Sequence, residues 1–139
     1  MSQENVEIVR KVYDAWACGD PSQGFGYLDP EVVWEAIEDA PDAGTYRKHS
    51  GVKRYMDDWL QDFEMFPFEF GRSVDAEGQL VMEQRGTTKG KGSGLKTVLN
   101  YAAVYTFRAG KVFTVKEYNT FREALEAVGL SEQDAHADS

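Results

Sequence analysis

The stretch that most constrains this chain runs from Gly110 to Leu130, GKVFTVKEYNTFREALEAVGL. Ala109-Gly110 reads as a hairpin turn between two β-rich runs. Val112 to Tyr118 alternates and is rich in β-branched and aromatic residues, which predicts a strand. Thr120 to Glu123 is a capping box, in which the Thr hydroxyl accepts from the N–H of Glu123 and the Glu carboxylate reaches back to the N–H of Thr120. Leu125 and Val128 then give a short apolar stripe, and Gly129 followed by Leu130 is a helix stop.

The parity of this strand bears on function. Lys116 is costly to bury, so Val112, Thr114, Lys116 and Tyr118 are assigned to the outer face. Phe113, Val115, Glu117 and Asn119 then point inward. An inward acid followed by an inward amide suits a lined pocket better than a packed core.

Upstream, Val6, Val9, Val12, Tyr13 and Trp16 recur at helical spacing, and Gly19 and Pro21 end that helix. Ser22 to Leu28 predicts a short helical turn, Glu31 to Ile37 a strand, and Asp39 to Gly44 a loop. A second helix is expected from Ser50-Gly51, with Val52, Tyr55, Met56, Trp59, Leu60 and Phe63 as its apolar stripe. Asp57, Asp58 and Asp62 read as its solvated face. Strands follow at Phe66 to Val74, Leu80 to Thr88 and Lys96 to Arg108. The Gly-rich turn KGKGSGL lacks the spacing of a phosphate loop. Helices, then hairpin-linked strands, then a last helix predict an α+β fold, with a meandering antiparallel sheet curled around the N-terminal helices. The 139 residues make one domain, residues 1–130, with a polar tail at 131–139.

A net charge of −9 argues against nucleic acid and anionic membrane as partners. The lone Cys18 fits a reducing compartment, and there is neither a membrane-length apolar run nor a secretory leader, so a soluble, cytoplasmic protein is expected. With 3 Trp, 7 Tyr and 8 Phe, there are rings enough to wall a cavity as well as fill a core.

Few polar residues suit chemistry. Glu117 is the leading candidate, because an acid among Tyr101, Tyr105 and Trp34 is desolvated and suited to shuttling protons at carbon acids. The alternative is a carboxylate satisfied by Arg85 or by Tyr hydroxyls. His49, placed in the YRKHSG loop, is either an exposed loop residue or a general acid or base at the rim. Arg85 and Glu83 face the pocket or form an outer-face pair. Tyr13, Trp16, Trp34, Tyr55 and Trp59 are candidates to hold a ligand's rings. Tyr101, Tyr105 and Asn119 are candidates to hydrogen-bond an oxyanion. His136 lies in the tail. Neither HxxxH nor CxxC spacing occurs, so no metal is expected.

The motifs DPEVVWE (Asp29 to Glu35), APDAGTYR (Ala40 to Arg47), SGVKRYMDDWL (Ser50 to Leu60), GKGSG, RAGKV (Arg108 to Val112) and EALEAVGL (Glu123 to Leu130) carry a resemblance. From about Asn5 to Leu130 the chain resembles the bacterial SnoaL-like polyketide cyclase family. That family lies within the nuclear-transport-factor-two-like superfamily, with the ketosteroid isomerases and scytalone dehydratases. The resemblance implies a cone-shaped, cystatin-like α+β barrel with a deep pocket and a homodimer packed through the outer face of the sheet. It also implies no metal or organic cofactor, and proton transfer by an acid and often a His. Similar proteins commonly carry Asp where Thr120 stands and often His where Ala103 stands. Neither replacement does proton chemistry near neutral pH, so any chemistry falls to Glu117, His49 or Arg85. Three expectations stay open: an isomerase, cyclase or dehydratase acting on a small apolar molecule, a binding domain with the same pocket, or a dimerising scaffold.

Overall fold

The computed structural model describes residues 2–37 and 43–133. Most of the expected loop from Asp39 to Gly44, and the tail beyond residue 133, lie outside the described residues. The elements are α1 (Ser2–Ala17), a 3-10 helix (Pro21–Tyr27), β1 (Leu28–Glu35), β2 (Thr45–Arg47) and α2 (Lys48–Asp62). They continue with β3 (Phe63–Met65), β4 (Glu69–Ala76), β5 (Gln79–Gly90), β6 (Lys96–Arg108), β7 (Lys111–Tyr118) and α3 (Phe121–Ala127).

The strands form one curled sheet in the order β2-β1-β7-β6-β5-β3, with β4 sharing the same edge of β5 as β3. The meander from β4 to β7 is antiparallel, but β1 runs parallel to β7, so the sheet is mixed. The expected strand from Phe66 is broken. Pro67 cannot donate to a ladder, and the chain leaves β5 between Met65 and Glu69. Phe63 lies in β3 and not on the preceding helix.

The concave face holds the main core. Val9, Val12, Tyr13 and Trp16 of α1 and Val52, Tyr55 and Met56 of α2 pack there against Trp34, Leu80, Met82, Ala103, Tyr105 and Val115. The 3-10 helix presses on α1 at Gly24, where a Cβ would lie 3.1 Å from the Cα of Val12. On the convex face Phe121, Ala124 and Leu125 of α3 cover Val74, Val81, Ala102 and Val104. The capping Thr120 accepts from the N–H of Glu123 at 3.1 Å, while the Glu123 carboxylate takes the Thr120 hydroxyl proton and not its N–H. Gly129, at φ +81°, closes the helix in a Schellman motif, with the N–H of Leu130 on the carbonyl of Leu125 at 2.9 Å.

One parity assignment is corrected by a β-bulge. Thr106 pairs with Thr114 and Phe107 with Val112, so Phe113 is the extra residue. Val112 is buried in the concave core, whereas Phe113 is half-buried under the Arg108 guanidinium, 4.1 Å from its ring centre. Val115 and Glu117 keep the inward parity. No helix among the described residues is long and apolar enough to cross a membrane.

Asp29, at the second position of β1, is buried and takes a bidentate contact from Arg108 at 2.7 and 2.9 Å, plus the N–H of Glu31 at 2.8 Å. The Arg108 hydrogen bonds, then that N–H, hold its carboxyl below the ordinary 3.8. A depressed folded pKa means that the stabilisation is complete above the unfolded value and is lost as pH falls through the folded one. We expect Asp29→Asn to lower Tm at pH 7, and its deficit against the parent chain to shrink as pH drops below 3.8. Thermal melts across a pH series check this.

Candidate functional site

Glu117, near the end of β7, sits directly opposite Ala103 of β6 on the concave face. The residue is only 7% exposed. Burying a charge is expensive unless donors replace the lost water. Here the indole N–H of Trp34 donates to Oε2 at 3.0 Å, and the Tyr55 hydroxyl lies 3.3 Å from each carboxylate oxygen. Trp34 comes from β1, Tyr55 from α2 and Glu117 from β7, so one acid ties three elements together. Trp34 points inward and is fully buried, while its neighbour Glu35 points outward and pairs with Lys116 at 3.6 Å.

Beside this carboxylate lies a cavity of about 700 Å³. Trp16, Tyr55, Trp59, Phe63, Met65 and Phe68 line it, with Tyr101, Glu117 and Asn119 on the strand side. The Phe68 ring reaches into place over Gly86, where a Cβ would meet it at 2.8 Å. Asp58 and Asp62 of α2 also line the cavity. Both are exposed, as their helical spacing predicts, and they stand at the rim of the cavity. The Trp16 indole N–H, buried in this wall, has no hydrogen-bond partner among the described residues.

A polar chain runs behind the wall. The Tyr105 hydroxyl contacts both the Tyr13 hydroxyl, at 2.9 Å, and Oε1 of Gln84, while Nε2 of Gln84 donates to the Tyr101 hydroxyl at 3.0 Å. A carbonyl oxygen only accepts, so Tyr105 gives its proton to Gln84 and Tyr13 gives its own to Tyr105. Tyr101 accepts from Gln84 and is within hydrogen-bond reach of the Tyr13 hydroxyl as well. Burial first, and the nearby Glu117 charge besides, push the phenols of Tyr13, Tyr101 and Tyr105 upward, so all three stay protonated donors. Gln84 was not singled out from sequence. Its inward parity on β5, shared with Leu80 and Met82, was the available signal.

The expected site residues therefore separate. Trp16, Tyr55, Trp59, Tyr101, Glu117 and Asn119 line one cavity. Tyr13, Trp34 and Tyr105 are buried behind it as supports. His49 is corrected: it lies in the first turn of α2, not in a loop, and its Nε2 contacts the Leu28 carbonyl at 2.9 Å beside the Phe25 ring. That contact makes Nε2–H the donor and ties α2 to β1. Arg85 is corrected too. It shares the convex face with Glu83 and donates to Asn100 at 3.1 Å, while Glu83 pairs with Arg72. With Arg72 and Arg122 it borders an adjoining hollow of about 500 Å³, which shares Asn100, Tyr101 and Asn119 with the cavity. Among the described residues no cluster of three His, Cys, Asp or Glu side chains is placed to hold a metal ion.

Comparisons with known proteins place this architecture. No protein of curated function matches the chain in sequence. An NTF2-like protein of unknown function from Burkholderia pseudomallei superposes with TM-score 0.69 at 18% identity, over 91% of this chain and 98% of its own. A protein with a ketosteroid isomerase-like fold from Catenulispora acidiphila, in complex with trimethylamine, gives 0.71 at 13% identity, over 91% and 95%. TerC, co-crystallised with polyporic acid, gives 0.70 at 16% identity, over 90% and 98%. These likenesses establish the fold. The SnoaL-like domain model matches residues 9–115, most of the chain, and with the curled sheet and its lined cavity this makes the protein a member of the SnoaL-like family.

Proposed function

We propose that this protein is a cofactor-independent proton-transfer enzyme of the isomerase, cyclase or dehydratase type, acting on a small, largely apolar carbonyl compound. The observation that carries the reading is the placement of two unlike groups at one cavity: the buried Glu117 carboxylate and the protonated Tyr101 hydroxyl ordered by Gln84. In this reading Glu117 takes a proton from the carbon next to the substrate carbonyl. The C–H electron pair shifts to give an enolate, whose oxygen accepts from Tyr101 and from the Asn119 amide. Glu117 then returns its proton to a different carbon, or to a leaving oxygen. Trp16, Trp59 and Phe68 hold the substrate's apolar body. Two structural neighbours in complex with small organic molecules, trimethylamine and polyporic acid, support small-molecule binding in this fold.

A second reading, a binding domain without turnover, draws on a specific observation. Glu117 is already held by Trp34 and Tyr55, and Ala103 and Thr120 supply no second acid or base. The two readings part on proton exchange. In D₂O, we expect the parent protein to speed the loss of α-proton NMR signals from at least one member of a panel of bicyclic ketones. Glu117→Gln is expected to slow that exchange by about 10²–10⁴-fold while leaving binding in place. Tyr101→Phe is expected to slow it by roughly 10²-fold. Saturable binding with no exchange above buffer would overturn the enzyme reading in favour of the binding domain.

Tyr55→Phe removes one donor to the buried carboxylate and little volume. We expect it to destabilise the fold by about 1–2 kcal/mol, measured by urea unfolding at pH 7.

A further inference from the structure

The charge on the cavity wall is of one sign. Asp58, Asp62 and Glu117 are its charged side chains, and no Lys, Arg or His is among the described residues that line it. Asp58 and Asp62 form no ion pair among the described residues, in contrast to their neighbour Asp57, which pairs with Lys53. Arg72, Arg85 and Arg122 line the adjoining hollow, where Arg72 and Arg85 are paired with Glu83 and Glu69. Asp58 and Asp62 are exposed at the cavity rim, and charges of one sign at the mouth of a cleft raise the local concentration of the opposite ion. Trp16, Tyr55, Trp59 and Tyr101 add aromatic rings to the same wall, and ring faces attract organic cations. The carboxylates are not grouped closely enough to hold a metal ion. The 97%-buried Trp16 also contributes an indole N–H without an acceptor, so a fitting ligand carries an oxygen as well.

We infer that the cavity selects small organic cations, molecules with a substituted ammonium group and a hydrogen-bond acceptor, over neutral or anionic molecules of the same shape. The ammonium group sits towards Asp58, Asp62 and the Trp59 ring, and the acceptor oxygen towards Trp16 and Tyr101. This rests on reading the cavity as a small-molecule site, and it adds the charge of the ligand.

The test compares choline with 3,3-dimethylbutan-1-ol, its neutral carbon isostere, by calorimetric titration of the full chain. Both probes carry the hydroxyl oxygen, so only the charge differs. Choline is expected to bind at least about tenfold more tightly, and more weakly as NaCl is raised. In the double variant Asp58→Asn/Asp62→Asn the preference is expected to fall to about threefold or less, while the neutral isostere binds as before. Equal affinities in the parent chain overturn the inference and leave the binding-site reading standing. A preference that survives the double variant also overturns it, because the cation is then held elsewhere on an acidic protein. Failure of both probes to bind overturns it too, while the reading beneath it is judged separately by proton exchange on the ketone panel.

Discussion

A carboxylate taken out of water must find donors, and the position of Glu117 makes that demand on three elements at once. Its oxygens are held by an indole from β1 and a phenol from α2, while its own backbone is fixed in β7. Moving any one of these elements by a few ångströms would strand a buried charge, at a cost that exceeds most single packing contacts. The contact therefore fixes how α2 lies over the concave face. That placement in turn brings Trp59, Asp58 and Asp62 to the cavity rim.

Much of this was legible in the chain. Period-2 alternation placed Glu117 and Val115 inward, and the same rule placed Tyr101, Ala103 and Tyr105 on the concave face. The cap at Thr120 and the stop at Gly129 followed from local chemistry. What stayed hidden were features that a fixed period cannot express. The bulge at Phe113 adds one residue to β7, so Val112 and Phe113 exchange faces while everything beyond them keeps its parity. Asp58 and Asp62 are solvated, as the helical wheel has them, and only the crossing of α2 beside an open cavity makes them part of its rim. His49 has no periodic context, and the Leu28 carbonyl that engages it is distant in sequence.

The departures from the family pattern acquire a structural meaning. Ala103 is the direct cross-strand neighbour of Glu117 and is fully buried. A side chain no larger than a methyl at this point leaves the carboxylate to Trp34 and Tyr55. Thr120, at the other departure, is spent on the α3 cap and lies past the end of β7. The buried polar groups of this cavity thus include an acid held by Trp34 and Tyr55 and a phenol ordered by Gln84.

Such a set is well matched to moving a charge rather than making one. In the proposed reaction Glu117 gains a proton and becomes neutral as the substrate oxygen becomes negative near Tyr101. The net charge inside the cavity does not change, and the negative charge travels only from one wall to the next. That matters because creating a new charge in a poorly solvated space costs far more than displacing an existing one. The Tyr13–Tyr105–Gln84–Tyr101 chain suits the displaced charge, since its donors all point the same way and the last one faces the cavity. A cationic substituent near Asp58 and Asp62 lowers the cost further, by offsetting the repulsion those carboxylates exert on a forming enolate. The acidic rim and the buried acid are then compatible, because the ligand that the rim attracts is also the one whose C–H is easiest to ionise.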